Sequence, residues 1–322
     1  MKNKIEILCT LGPASLNTKF LKFAKNKISL LRLNMSHIEV KDLKKYIIFI
    51  KKNTNIPICI DTEGAQIRTK INKKKNIKIN QKFKIYKNSS KQGFYPRSVF
   101  DKLKLNDFLD IGFNDLKAKI IKKSDNYIIL KSTSSGVLEN NKGVYVVNRI
   151  LKLNFLTQKD NEAIVLAKGL GIKNFALSFT NTTKDVLNFK RILPSQNKIY
   201  KIESKTAIKN LSKIIKKGEN FLIDRGDLSK EIEIENIPVF QRKIIKIFKK
   251  FKNKKVYIAT NFLENMVTNK YPNRGEANDI YSSLEMGATG LVLAAETAIG
   301  KYPEKTVLFL NKMIKVFKSQ KM

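Results

Sequence analysis

Lys198–Lys230 reads KIYKIESKTAIKNLSKIIKKGENFLIDRGDLSK. Lys198–Ile202 is a short apolar run that predicts a strand, Thr206–Lys217 carries Ile and Leu at helical spacing, and Asn220–Asp224 predicts a second strand. A strand, a helix and a strand in that order argue for a parallel sheet built from βα units. Both strands run into charged residues, Lys201-Ile202-Glu203 in the first and Asp224-Arg225-Gly226-Asp227 in the second. In a (β/α)8 barrel the chemistry sits at those C-terminal strand ends.

The same rhythm extends in both directions. Further strands are predicted at Lys4–Thr10, Ser29–Asn34, Ile56–Asp61, Asn174–Ser178, Lys255–Thr260 and Gly290–Ala294. Helical patterns fall at Lys41–Lys52, Asp160–Lys168, Thr183–Leu193, Val239–Phe251, Asp279–Met286 and Lys305–Phe317. Eight strands alternating with helices predict an α/β fold of the closed (β/α)8 TIM-barrel type rather than an open sheet. One stretch breaks the rhythm. Lys70–Asn148 holds short alternating pieces (KFKIY, LKAKIIKK, NYIILKS, GVYVV) with turn clusters at Asn88–Gly93 and Ser132–Gly136. The expectation is a barrel made of residues 1–69 and 149–322, with a small all-β lid, residues 70–148, inserted after strand three.

Composition removes several function classes. Two cysteines, Cys9 and Cys59, are too few for a disulfide framework or a Cys-rich zinc module. One histidine, His37, excludes His-clustered metal sites. No apolar run is long enough for a signal peptide or a membrane span, so a cytoplasmic protein without membrane contact is expected. The formal charge is +37, yet 56 of the basic residues are Lys and only 8 are Arg. Lys, Asn and Ile run high together, as in INKKKNIKIN (Ile71–Asn80), which is what A/T-rich codons supply without any binding role. Arg is the better reader of phosphate and bases, and it is the residue this chain lacks, which argues against a nucleic-acid partner. Four of the eight arginines nevertheless fall beside acids and glycines: Arg32, Arg68, Arg225 and Arg274.

At the predicted barrel mouth, residue types with complementary chemistry converge. Glu203 and Asp227 offer two carboxylates, the set that suits Mg²⁺ with water and substrate oxygens. Lys201 lies two residues before Glu203, so both side chains project to one side of an extended strand. Arg32, Arg68 and Lys201 beside such an ion would neutralise a phosphoryl group in flight. Arg32, Asn34 and Ser36 alternate in the same way, and Asn34 and Ser36 with Asp61 and Thr62 offer oxygens for a monovalent cation. Glu296-Thr297 ends strand eight at the same mouth. The plainer readings are a surface Lys201–Glu203 pair and Asp227 as a helix N-cap.

These residues lie within eight stretches that, in order, resemble pyruvate kinase: LCTLGPAS, LRLNMSH, DTEGAQIRT, KIESK, LIDRGDLSKEI, VYIATNFLENM, YPNRGEANDI and AAETAIGKYPEKTV. The resemblance runs from Lys4 to about Val307, and the Lys70–Asn148 insertion matches the family's lid in position and character. It implies that phosphoenolpyruvate and ADP are converted to pyruvate and ATP with Mg²⁺, as the last step of glycolysis. By the same resemblance Arg32 holds the transferring phosphate, Arg68 spans the phosphates, and Lys201 stabilises the transition state. Glu203 and Asp227 bind Mg²⁺. The Gly226-Asp227 turn takes the substrate carboxylate, and Thr260 sits beside the enolate carbon. Asn34, Ser36, Asp61 and Thr62 match a K⁺ site. Pro13, Asn34, His37, Arg68 and, from the lid, Lys142 match nucleotide contacts.

The chain departs from the family's DTKGPEIRT at Glu63, Ala65 and Gln66, and Gln66 leaves K⁺ dependence open. The family's C-terminal effector domain finds no counterpart in the sequence, so an oligomer of the usual family type is not expected. Two other readings compete: a phosphoenolpyruvate/pyruvate-type barrel acting on another enolate, and a degenerate regulatory or RNA-binding barrel. Retention of Pro13, His37 and Arg68 counts against the first, and retention of Arg32, Lys201, Glu203, Asp227 and Thr260 against the second.

Overall fold

A computed structural model describes residues 4–64, 66–112, 115–149, 151–251 and 253–320. Ala65, one of the three departures noted above, lies outside them. The chain divides into two compact units at Gly64 and Gln158.

The larger unit is a closed barrel of eight parallel strands. In chain order these are Glu6–Thr10, Leu30–Asn34, Ile58–Asp61, Asn174–Leu177, Asn197–Ile202, Asn220–Asp224, Lys255–Ala259 and Gly290–Leu293, each paired with the next and the last with the first. All eight expected strands are present, with ends shifted by no more than two residues. They form because each is a run of four to six mostly apolar residues, rich in Ile, Leu and Val, buried on both faces as a parallel sheet requires. Side-chain alternation then sorts the residues. Leu8, Leu30, Cys59, Ala176, Ile199, Leu222, Tyr257 and Val292 meet inside the barrel. Two positions further along their strands, that same inward face carries Thr10, Arg32, Asp61, Ser178, Lys201 and Asp224. The period of two therefore stacks a polar layer on an apolar one at the C-terminal end.

The helices differ from expectation where capping chemistry decides. Thr18–Ala24 is a helix that apolar spacing alone misses; Asn17 caps it by accepting from the Phe20 N–H at 2.9 Å. The helix expected at Asp279 begins at Arg274, because Asn273 and Glu276 form a reciprocal capping box. The helix expected over Thr206–Lys217 is two pieces, Lys205–Lys209 and Leu211–Lys217, joined at Asn210. No helix among the described residues is long and apolar enough to cross a membrane.

Both cysteines are buried in the barrel wall. Burial pushes the Cys9 thiol up to about 12 and raises that of Cys59 as well. Neither is a thiolate near neutrality, so the native protein should release no chromophore from a thiol-exchange reagent at pH 8. Two equivalents should react once guanidinium opens the barrel.

The smaller unit is β-rich with its own apolar core, built on Ile85, Ile111, Leu116, Ile120, Ile128 and Leu130. Seven strands form one antiparallel sheet, and Lys75–Ile77 pairs with Gly136–Leu138 in a second. The strand Ile67–Ile71 lies in register with Gln92–Tyr95 and Gly143–Val146, so it belongs whole to this unit. That is why the first boundary falls at Gly64 rather than after residue 69; the larger unit resumes at Gln158.

Candidate active site

Lys201 stands at the centre of the polar layer. Its side chain is 4% exposed, and Nζ lies 3.1 Å from Glu203 Oε2, 3.1 Å from Asp224 Oδ2, 3.5 Å from Asp61 Oδ2 and 3.2 Å from Ser178 Oγ. Burial alone would lower the ammonium pKa; Asp61, Glu203 and Asp224 outweigh it and hold the group well above the ordinary lysine value. The reading of Lys201–Glu203 as a surface pair therefore fails. Arg32, also buried, grips Asp61 Oδ2 through Nε at 2.7 Å and Nη2 at 2.6 Å, and donates to Thr10 Oγ1 at 2.9 Å.

Asp224 joins the two expected carboxylates. Glu203, Asp224 and Asp227 each offer an oxygen within 4.8 Å of the others. Burial, with Asp227 and Asp224 close by, pushes Glu203 up to about 8 in spite of Lys201. Burial would raise Asp224 too, but Lys201 and Arg32 bring it down to about 2. Glu203 Oε1 accepts the Phe179 N–H at 2.5 Å. Oε2 receives no directed hydrogen bond although Lys201 is near. A buried carboxylate oxygen in that state is costly unless something completes it. Three carboxylate oxygens that lie within 4.8 Å of one another fit a hard divalent cation such as Mg²⁺. Asp227 is no N-cap. It lies inside the short helix Arg225–Leu228, whose N-cap is Asp224, and pairs with Lys230 at 2.5 Å.

Ser178 and Asp160 hold this layer in shape. The Ser178 N–H donates to Thr62 Oγ1 at 3.0 Å, and its hydroxyl donates to the Thr62 carbonyl at 2.6 Å. Gly64 makes room for it: φ is +70°, and a Cβ there would stand 2.7 Å from the Ser178 Cβ. Asp160, fully buried on the helix Gln158–Gly169, accepts the N–H groups of Glu63 and Gly64 at 2.8 and 3.1 Å. Asp224 and Ser178 were findable, since each lies two residues past an inward-facing position on its strand. Asp160 carries no local signal beyond an acid in the first turn of a helix.

The remaining expected residues divide between the two units. Asn34 pairs in register with Asp61, and its side-chain oxygen accepts the Ser36 N–H at 3.0 Å, so Asn34, Ser36, Asp61 and Thr62 share one corner of the mouth. Pro13 and His37 are exposed on the loops after the first two barrel strands. Thr260 follows the seventh strand with φ of +72°; its hydroxyl oxygen accepts the Gly226 N–H at 2.8 Å and lies 3.2 Å from Asp224 Oδ1. Gly226 has little room for a side chain, because a Cβ would meet Thr260 Cγ2 at 3.2 Å. Arg68 and Lys142 belong to the β-rich unit, where Arg68 pairs in register with Gly143 and Lys142 forms an ion pair with Glu139 at 2.8 Å. Glu296 follows the eighth strand directly and is buried. Its carboxylate accepts the N–H groups of Leu263 and Ala294 and so ties the last two strand ends together.

Comparison with known proteins gives this geometry its context. A family model described as pyruvate kinase, barrel domain, matches residues 2–307. The pyruvate kinase of Thermotoga maritima is 30% identical over 96% of this chain and 70% of its own length. That of Methanocaldococcus jannaschii is 32% identical over 98% of this chain and 70% of its own. For the Staphylococcus saprophyticus enzyme the identity is 31%, over 94% of this chain and 55% of the relative.

Proposed function

The chain belongs to the pyruvate kinase family, and on that premise we propose that it transfers the phosphoryl group of phosphoenolpyruvate to ADP in a Mg²⁺-dependent reaction that yields pyruvate and ATP. The observation that carries this reading is the buried cluster in which Lys201 lies within 3.5 Å of Asp61, Glu203 and Asp224, with Asp227 beside the last two as a third oxygen donor for an ion.

Glu203, Asp224 and Asp227 would hold the divalent ion. When bound, it would neutralise charge on the substrate's phosphoryl and enolate oxygens. Lys201 stays protonated throughout. It supplies a fixed positive charge in a dry site, where such a charge acts far more strongly than in water. Arg32, locked by Asp61 and Thr10, presents a second fixed cation from the neighbouring wall. Thr260 holds its hydroxyl between Gly226 and Asp224, placed to pass a proton toward the enolate carbon through water. The backbone at Gly226-Asp227 would meet the substrate carboxylate. Pro13, Asn34 and His37 would line the nucleotide's path; Arg68 and Lys142, the other expected nucleotide contacts, belong to the β-rich unit.

The K⁺ set is a different case. The Thr62 carbonyl already accepts from Ser178, Asn34 from Ser36, and Asp61 from Arg32, so no step is assigned to K⁺. The test is pyruvate formation from phosphoenolpyruvate and ADP, followed through a coupled dehydrogenase. Turnover that requires Mg²⁺ is expected, and a K⁺ titration in the same assay decides whether the monovalent ion contributes. Folded, Mg²⁺-loaded protein that forms no pyruvate, with or without K⁺, would overturn the reading.

A further inference from the structure

Thr260 has a backbone that its residue type disfavours. A β-branched side chain at φ of +72° is a genuine outlier, and Asn261 follows it at +58°. Such a conformation persists only where the surroundings over-determine it. Here the hydroxyl is held by Gly226 and Asp224, and the carbonyl by one guanidinium. Arg225 donates to the Thr260 carbonyl through both Nε, at 3.1 Å, and Nη2. Its Nη1 grips both oxygens of Asp279, at 2.9 and 2.7 Å, and its plane lies over the Phe262 ring, 4.3 Å from the centroid. Asp279 is carried by the helix Arg274–Met286, whose start is fixed by its capping box. Gln241, buried on the neighbouring helix, lies 3.5 Å from Arg225 Nη1 and donates to Ser283 Oγ.

We propose that Asp279 and Arg225 form a positioning strut that holds Thr260 in its left-handed conformation and so sets its hydroxyl against Gly226 and Asp224. The proposal rests on the pyruvate kinase reading for its kinetic consequence and not for its geometry. Neither residue touches the reacting atoms. Arg225 acts through the Thr260 carbonyl, and Asp279 acts through Arg225. Arg225 is one of the four arginines set beside acids and glycines; the carboxylate its Nη1 contacts belongs to the protein itself.

The strut can be reached from outside. Asp279 is one-third exposed, and a cavity of about 210 Å³ is lined by Arg225, Gln241, Arg242 and Asp279 but not by Thr260. This permits a test that loss of stability alone would not satisfy. Asp279→Ala should lower kcat about 10- to 100-fold, the scale of a 1 Å misplacement by a distant change. KM for phosphoenolpyruvate should stay within about twofold, the signature of an interaction felt in the transition state. Sodium formate should enter the cavity, pair with Arg225 and restore several-fold of the lost kcat, while sodium chloride at equal ionic strength should not. Formate should not rescue Arg225→Ala, which lacks the group it would bind.

An Asp279→Ala protein with the kcat of the parent would overturn the strut. So would one with lowered kcat, an unchanged melting temperature and no response to formate. Should that variant fail to fold, Asp279→Asn keeps one acceptor oxygen and should show an intermediate kcat; parental kcat in Asp279→Asn would count against the proposal. If the parent protein forms no pyruvate at all, the functional reading fails on its own. The strut is then judged by amide exchange over Ala259–Phe262, which Asp279→Ala should accelerate and which unchanged protection would contradict.

Discussion

Lys201→Met should lose turnover by a factor of about 10³ or more, the upper range for removing one preorganised electrostatic stabiliser, while the barrel stays folded. Methionine keeps the unbranched stem that packs in the wall and deletes only the charge. What remains is a set of carboxylates, Asp61, Glu203 and Asp224, that lose the cation standing 3.1 to 3.5 Å away. Removing one partner from a buried ion-paired group costs about 3–5 kcal/mol. Part of that is recovered here, because burial already pushes Glu203 up to about 8 and the carboxyl can take a proton at neutral pH. The melting temperature should therefore fall without loss of the native circular dichroism. Half-saturation by Mg²⁺ should not weaken, since the site has become more acidic. A variant that kept kcat within tenfold would remove Lys201 from the chemistry.

Glu203→Gln should move the other two observables instead. The amide keeps the shape and can still accept the Phe179 N–H, but it removes one of three negative oxygens from the ion site. Even substitutions in the outer shell of a metal site cost about 10- to 100-fold in affinity. The Mg²⁺ concentration for half-maximal turnover should rise by at least that much. Stability in EDTA should not fall, because the change relieves a buried carboxylate crowded by Asp224 and Asp227. The two variants thus carry opposite signatures: Lys201→Met loses stability and keeps its Mg²⁺ response, and Glu203→Gln keeps stability and loses that response. An unchanged Mg²⁺ titration in Glu203→Gln would place the ion elsewhere.

The barrel was legible because each strand is a short apolar run bounded by turns, and because period-two alternation carries a face unchanged from core to mouth. That alternation places Lys201 and Glu203 on one side before any coordinates exist. It also reaches Asp224, which is inward because Leu222 is. Asp160 was not legible, since its partners at Glu63 and Gly64 lie about a hundred residues away and no local pattern links them. The same holds for Arg225, whose partner Asp279 is 54 positions on, and for Glu296, whose carboxylate accepts the N–H of Leu263, 33 positions back. Sequence shows which residue types reach the mouth. Which of them face substrate and which brace the others is decided by contacts of long sequence separation.

The most direct test follows the phosphorus itself. Phosphoenolpyruvate, ADP and Mg²⁺ are mixed with the protein and observed by ³¹P NMR. The phosphoenolpyruvate resonance should disappear as the γ-phosphate of ATP appears in equal amount, with no change in EDTA or with Lys201→Met. Release of inorganic phosphate without ATP, or unchanged spectra from folded protein, would contradict a phosphoryl transfer to ADP at this site.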